Sequence, residues 1–307
     1  MPCYFPLTGY RSKDLTAKNK RKIVFNIKYA LDDSEVTIPC GSCIGCRFEK
    51  SRQWALRCVH EASLHDDNCF ITLTYDQQHL PADHSLNKSH FQKFMKRLRK
   101  HFTGTPIRFY HCGEYGELNN RPHYHACIFG MDFLDKEILK KTKDGNSLYT
   151  SALLTKLWGK GTQNTVGELN FKTAAYTAHY TMKKINGDKA EEHYRFTDEL
   201  TGEQHQIIPE YTTMSRRPGI ANNWYKKYKT DVYPSDEVII KGISMQPPKY
   251  YDSILEKENP FLYDDIKHDR LLNAQKYQSD QTPERLHVKH KVKQAQANLL
   301  SRTLEEI

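Results

Sequence analysis

The sequence has 307 residues, enough for one catalytic domain of ordinary size with additions at either end. Its 46 Lys and Arg exceed its 37 Asp and Glu, and the resulting formal charge of +9 suits a polyanionic partner such as nucleic acid. Met1–Lys13 has no continuous apolar stretch, and no run approaches the roughly 18 apolar residues of a membrane span. We therefore expect neither a signal peptide nor a membrane partner. The eight cysteines are interpreted as metal ligands or small core residues of a reducing compartment before disulfides.

Three regions are predicted along the chain. Residues 1–60 form a Cys-rich N-terminal segment, 61–230 form the core, and 231–307 form a charged, mainly helical C-terminal region. In the core, the patterns predict the following elements in chain order: a strand at 69–75, a helix from Ser89 to Phe102, strands at 107–112 and 122–129, a helix at 150–157, a strand at 161–169 and a helix at 172–184.

The core is predicted to be α+β, with an antiparallel sheet and helices on one face. The strands at 107–112 and 122–129 are joined by a short, turn-rich segment, so they must run antiparallel. Ser89 and Gln92 form a capping-box pattern at the start of the first helix, whose basic residues include Lys96 and Arg97. This basic face either lines a DNA groove or is simply solvated.

His123 and His125 lie two residues apart in a predicted strand, so both imidazoles can reach one ion. About one such pair is expected by chance in a chain with 15 histidines, so the neighbouring residues decide. The turn brings Glu114 beside the pair, and Glu117 is the alternative carboxylate. A site with two imidazoles, one carboxylate and open positions is typical of a catalytic divalent ion, here Mn²⁺ or Mg²⁺.

Tyr176 and Tyr180 are four residues apart in a predicted helix, so their rings share one face. Aromatic core packing is the alternative interpretation. Three flanking residues are basic or chargeable and favour a phosphate instead: His179, Lys183 and Lys184. A phenol beside a metal-bound phosphate can act as a nucleophile, although its ordinary pKa is about 10.

Cys40, Cys43 and Cys46 follow a Cys-x₂-Cys-x₂-Cys pattern. Tetrahedral structural Zn²⁺ requires a fourth ligand, which Cys3 or Cys58 could supply. The alternative is three reduced cysteines in a tight loop. The remaining three cysteines lie in predicted strands and are interpreted as core residues: Cys69, Cys112 and Cys127.

Several motifs occur in an order that resembles the HUH rolling-circle endonucleases. They are Phe70–Tyr75, Arg121–His125 and the Tyr176-x₃-Tyr180 pair, with Pro39–Arg47, Cys112–Gly116 and Met214–Gly219 in addition. The fuller set resembles the replication initiators of the Microviridae, the gokushovirus branch most closely. This resemblance implies a five-stranded antiparallel sheet with an RNA-recognition-like layout, flanked by helices.

The resemblance also implies roles for individual residues. His123, His125 and Glu114 would hold Mg²⁺ or Mn²⁺. Tyr176 and Tyr180 would be the nucleophiles. Lys183 or Lys184 would lie near the phosphate, and Arg216 and Arg217 would contact DNA. His179 departs from the family pattern, because related initiators often carry lysine there.

The function implied is that of a rolling-circle replication initiator in the cytoplasm of a bacterial host. Such an enzyme cuts single-stranded DNA at the phage origin, holds the 5′ end as a phosphotyrosine and rejoins strands. Origin DNA is the implied partner, and a host helicase and polymerase are further candidates. Two alternatives remain open: a non-enzymatic, zinc-containing DNA-binding regulator, and an HUH transposase or relaxase.

Overall fold

The computed structural model describes residues 3–17, 19–116, 119–142, 145, 147–178, 184–185, 187–197 and 202–299. The helices are α1 (Ile44–Ala62), α2 (Lys88–His101), α3 (Ala152–Trp158), α4 (Phe171–Ala178), α5 (Lys189–His193), α6 (Asn222–Val232), α7 (Lys249–Glu258), α8 (Pro260–Gln275) and α9 (Pro283–Asn298). The strands are β1 (Leu7–Leu15), β2 (Arg21–Val24), β3 (Ala30–Ile38), β4 (Asn68–Leu73), β5 (Arg108–Tyr115), β6 (Pro122–Phe129), β7 (Glu137–Lys141), β8 (Ser147–Thr150), β9 (Thr165–Gly167), β10 (Arg195–Thr197), β11 (Gln204–Gln206), β12 (Tyr211–Met214), β13 (Val238–Ile240) and β14 (Ile243–Met245). Among these described helices, none is both long enough and apolar enough to cross a bilayer.

The chain folds into two compact units. One, the terminal unit, comprises the described residues of Met1–Glu49 and Arg270–Ser301; the other, the central unit, comprises those of Lys50–Asp269. The terminal unit contains a three-stranded antiparallel sheet in the order β2-β1-β3. The three regions predicted along the sequence stay a prediction, since the two units reflect spatial proximity and join distant parts of the chain.

The central unit is built on a seven-stranded sheet in the order β12-β5-β6-β4-β9-β8-β7. Every strand pair in it is antiparallel, which confirms the predicted α+β class with an antiparallel sheet. The expected count of five strands differs from the observed seven. The hairpin of β7 and β8, at one edge, was not predicted because most β7 side chains are exposed and show no buried alternation.

Helices pack on both faces of this sheet, so the prediction of helices on one face was wrong. Side chains alternate along β6, where Tyr124, Ala126 and Ile128 join a core with α2 and α3. Cys127 and Phe129 point the other way, into a core with α1, α4, α6 and α7. Because the second half of β6, Ala126–Phe129, is apolar at both sets of positions, its sequence already carries the signal for two covered faces.

Helix α2 confirms the predicted apolar face but not the predicted start. Phe91, Phe94 and Leu98 are buried against the sheet. The cap is Asn87, whose side-chain oxygen accepts a hydrogen bond from the Ser89 backbone at 3.0 Å, so the capping box predicted at Ser89 was placed two residues late.

Candidate active site

The hairpin of β5 and β6 places one carboxylate opposite two imidazoles. In the antiparallel register, Glu114 pairs with His123 and Cys112 pairs with His125. Side chains alternate along each strand, so Glu114, His123 and His125 all lie on one face of the sheet. This is the face to which Cys127 also points and against which α4 packs. The short connection between the strands therefore creates the cluster that the sequence predicted.

The three side chains converge on one point. Oε1 of Glu114 lies 3.2 Å from Nε2 of His123 and 3.0 Å from Nε2 of His125. One ligand atom from each residue falls within 4.8 Å of the others. Glu114 and His125 are buried, whereas the His123 side chain keeps 12 % exposure, so the cluster opens on the His123 side.

Hydrogen bonds on the far nitrogens fix the orientation of both imidazoles. Nδ1 of His123 lies 3.1 Å from the Arg121 carbonyl oxygen, to which it can only donate. Nδ1 of His125 lies 3.0 Å from the Thr72 hydroxyl oxygen. In a neutral His123, the Nε2 lone pair would then face the Glu114 carboxylate. A lone pair and a carboxylate repel each other, so this arrangement requires either a protonated imidazole or a cation between the two groups. A divalent ion fits this set of two nitrogens and one oxygen.

The protein environment keeps Glu114 ionised. Burial opposes its charge, but the hydrogen bonds and charges of His123 and His125 outweigh burial and hold the pKa of the Glu114 carboxyl well below its ordinary value. The carboxylate is thus in the form that binds a metal ion.

Helix α4 places a tyrosine beside this cluster. Its buried residues Ala174 and Ala178 have small side chains, which allow the helix to approach the sheet closely. The Tyr176 ring stands edge-on to the His125 imidazole, with the ring centroids 4.9 Å apart and the planes at 88°. Tyr176 is half-buried, so it is not a fully packed core residue.

The other predicted members of this site cannot be placed in the same way. Tyr180, His179, Lys183 and the alternative ligand Glu117 lie outside the described residues. Lys184 is described and half-buried.

Arg216 and Arg217 are exposed in the turn that follows β12. The backbone of Ser215 donates to the Phe109 carbonyl, so this turn lies at the start of β5, whereas Glu114 lies near its end. The five residue steps of strand from Phe109 to Glu114 span about 17 Å. The structure therefore does not bring these arginines to the three-ligand cluster.

Lys96 and Arg97 also lie away from the cluster, because α2 covers the opposite face of the sheet. Both residues are exposed. Arg97 has a structural use: its guanidinium donates to the carbonyl oxygens of Leu157 at 2.6 Å and Trp158 at 2.9 Å. These contacts satisfy carbonyls at the end of α3.

A second cluster forms in the terminal unit. The sulfur atoms of Cys3, Cys40, Cys43 and Cys46 all lie within 4.8 Å of one another. Burial raises the pKa of Cys46, whereas hydrogen bonds from the backbone of Cys43 and Ser42 overcome burial and lower that of Cys40 to about 6.

The remaining cysteines belong to the core of the central unit. Cys58, the alternative fourth ligand, is fully buried in the same apolar cluster as Cys127. Cys69 and Cys112 are also fully buried, which confirms the interpretation of the three strand cysteines as core residues.

The hydrogen-bond partners of the two imidazoles, the Thr72 hydroxyl and the Arg121 carbonyl, were not predicted from the sequence. A buried threonine within an otherwise apolar strand is a usable signal for Thr72, because a buried hydroxyl needs a partner. A backbone carbonyl leaves no such signal in the sequence.

The chain is similar to replication proteins of several phages. The family model described as replication-associated protein ORF2/G2P matches residues 68–185. The chain is 35% identical over 260 residues to replication-associated protein ORF2 of Spiroplasma virus 4, covering 80% of this chain and 75% of that protein. It is 31% identical over 241 residues to replication-associated protein VP4 of Bdellovibrio phage phiMH2K, covering 76% and 72%. No solved structure matches the chain.

Proposed function

Since this chain belongs to the replication-associated protein ORF2/G2P family, we propose that it initiates phage DNA replication as a metal-dependent, tyrosine-based single-strand endonuclease. In this proposal the central sheet is the scaffold of an HUH endonuclease. His123, His125 and Glu114 hold Mg²⁺ or Mn²⁺, and Tyr176 and Tyr180 are the nucleophiles.

One observation carries the proposal: the Tyr176 ring lies 4.9 Å from the His125 imidazole, measured between centroids, while Nε2 of His125 faces Glu114. A phosphate bound at the three-ligand cluster would therefore be close to a phenol. The nearby imidazoles have their Nδ1 atoms held by Thr72 and Arg121, so the ligand geometry exists before substrate arrives.

The reaction conserves the number of phosphoester bonds. The phenolic oxygen attacks phosphorus and loses its proton, while the bond between phosphorus and the 3′ oxygen breaks and that oxygen gains a proton. The products are a tyrosine ester of the 5′ phosphate and a free 3′-OH. A divalent ion neutralises charge on the phosphate oxygens when bound. Because the ester retains the bond energy, a 3′-OH can later reverse the step without ATP.

Two tyrosines would let the enzyme hold one 5′ end while making a second cut, as closing a rolling-circle product requires. The formal charge of +9 suits a DNA partner, whose phosphates would be neutralised in a salt-dependent way. Arg216 and Arg217 remain candidates for contacting DNA outside the metal cluster. A free 3′-OH is the substrate of a polymerase, so a host polymerase is a candidate partner, together with a host helicase that would unwind the duplex ahead of it.

The test uses the full chain and single-stranded oligonucleotides that tile the genome encoding it. With Mn²⁺ or Mg²⁺, one oligonucleotide labelled at its 3′ end should become attached to the protein through an SDS-resistant bond. The same oligonucleotide labelled at its 5′ end should yield a shorter product that a polymerase can extend. Chelation of the metal should abolish both products.

Tyrosine variants test whether Tyr176 and Tyr180 are the nucleophiles. The double variant Tyr176→Phe/Tyr180→Phe should bind the oligonucleotide normally but form no adduct. Tyr277→Phe is the matched control, because Tyr277 is exposed and lies two residues after the end of α8. This variant should form the adduct as the wild type does. An undiminished adduct in the double variant contradicts the assignment. Salt-dependent binding without any cleavage by the wild type would favour the alternative, a non-enzymatic DNA-binding regulator.

A further inference from the structure

Four cysteines from two segments of the chain, Cys3 and the run Cys40–Cys46, meet in the terminal unit. Cys3 precedes β1 and Cys40 follows β3; the two strands pair with Leu7 opposite Ile38, which brings the flanking cysteines together. Cys43 precedes the first residue of α1, and Cys46 lies in its first turn. Between Cys40 and Cys43, Gly41 adopts a positive φ of 75°, a conformation that favours glycine.

The surrounding backbone is arranged to stabilise negative charge on sulfur. The N–H of Cys40 donates to Sγ of Cys3 at 3.3 Å, and the N–H of Cys43 donates to Sγ of Cys40 at 3.3 Å. The N–H of Tyr4 donates to Sγ of Cys43 at 3.5 Å. The positive end of the α1 dipole adds to this effect.

We propose that Cys3, Cys40, Cys43 and Cys46 bind one structural Zn²⁺ through four thiolates. Four ionised sulfurs at this separation would repel one another without a cation. Zn–S bonds of about 2.3 Å in a tetrahedron place the sulfurs about 3.8 Å apart, which fits the 4.8 Å limit of the cluster. All four positions are filled by protein, as in structural rather than catalytic zinc sites.

The ion would also hold the C-terminal helix in place. Phe5, two residues after Cys3, packs edge-on against His290 of α9 with centroids 4.9 Å apart. Phe48, two residues after Cys46, lies under Nζ of Lys293 at 5.1 Å. Residues close in sequence to two of the four cysteines therefore contact α9, so zinc would order both the segment around Cys3 and α9.

The experiment measures metal in the full-length protein, purified with a reductant. Mass spectrometry of the metal should give one zinc per chain in the His123→Ala/His125→Ala variant, in which the other candidate metal cluster is absent. Cys43→Ser/Cys46→Ser should lose this zinc. Cobalt exchanged into the His-substituted protein should show sulfur-to-cobalt charge transfer and intense tetrahedral d–d bands, a readout that does not depend on the folding of a cysteine variant.

Cys58→Ala is the matched control, since Cys58 lies on the same helix as Cys46 but outside the cluster; it should retain the zinc. Hydrogen exchange of 283–298 should rise at least about tenfold when zinc is removed by chelation. Retention of zinc by Cys43→Ser/Cys46→Ser would overturn the proposal, as would its loss from His123→Ala/His125→Ala. Fewer than eight titratable thiols in the denatured, demetallated protein would indicate disulfides and overturn it too.

Discussion

The hydroxyl of Thr72 lies 3.0 Å from Nδ1 of His125, on the strand next to it in the sheet. Thr72 is buried, and the contact links β4 to the three-ligand cluster on β5 and β6. This contact holds the orientation of the His125 ring. In the proposed metal site, Thr72 would therefore influence the geometry and basicity of Nε2 without itself being a ligand.

Replacing Thr72 by valine should weaken metal binding. Valine keeps the shape and the branched Cβ, so the strand is retained while the hydrogen bond is lost. We expect the Mn²⁺ concentration for half-maximal adduct formation to rise about 10- to 100-fold, the usual effect of removing such a partner. Thr74→Val is the control, because its hydroxyl donates to the Gln163 carbonyl instead. An unchanged Mn²⁺ requirement in Thr72→Val would contradict the positioning role.

Enlarging Ala174 should displace the nucleophile while sparing the metal ligands. Ala174 is fully buried where α4 meets the sheet, so leucine would overpack the contact at a cost of about 1–3 kcal/mol. A shift of Tyr176 by about 1 Å should slow adduct formation about 100-fold. Mn²⁺ binding, measured by calorimetry, should stay unchanged because the ligands lie on β5 and β6. Lys172→Leu, on the exposed side of the same helix, should leave the rate unaltered; equal slowing in both variants would argue against the proposed geometry.

The predicted clustering of Glu114 with His123 and His125, which the structure confirms, depends on local rules, whereas their role as metal ligands stays a prediction. Strand alternation put His123 and His125 on one face, and the short connection to β5 brought Glu114 opposite them. The motif order also indicated the family, which the similarity to the Spiroplasma virus 4 protein confirms.

The parts that were missed depend on long-range packing. Arg97 and Leu157 are sixty residues apart, so no local pattern indicates that the guanidinium binds the end of α3. The choice between Cys3 and Cys58 as the fourth sulfur depends on the register of β1 with β3. Edge strand β7 has too little buried surface to leave a pattern of alternation.

Acid should destabilise the fold through His60. Its Nδ1 lies 2.7 Å from the Tyr251 hydroxyl, and burial lowers the pKa of His60 from 6.5 to about 3. Between these pH values the unfolded chain binds a proton that the folded chain does not, so the free energy of unfolding should fall as the pH drops. The slope for one such proton is about 1.4 kcal/mol per pH unit.

His60→Gln tests this origin, because glutamine can still bond to Tyr251 but does not titrate. Unfolding by urea, followed from pH 7 to pH 5, should give a shallower loss of stability in the variant by about 1.4 kcal/mol per unit below pH 6.5. His65→Gln serves as the control, since His65 lies on the flank of the same helix and is only half-buried. Equal slopes in wild type and His60→Gln would show that other groups cause the acid sensitivity.

Alanine variants of Arg97 and of its neighbour Lys96 should show whether these basic residues of α2 stabilise the fold or bind DNA. Arg97→Ala leaves the carbonyls of Leu157 and Trp158 without their guanidinium donor, so unfolding should become easier by about 1–2 kcal/mol. Lys96→Ala removes an exposed charge and should change stability by less than about 0.5 kcal/mol. Urea unfolding measures both, and anisotropy at several salt concentrations measures oligonucleotide binding. If α2 lined the DNA path, both variants would weaken binding and flatten its salt dependence. Because α2 covers the face of the sheet opposite the three-ligand cluster, we expect neither variant to do so.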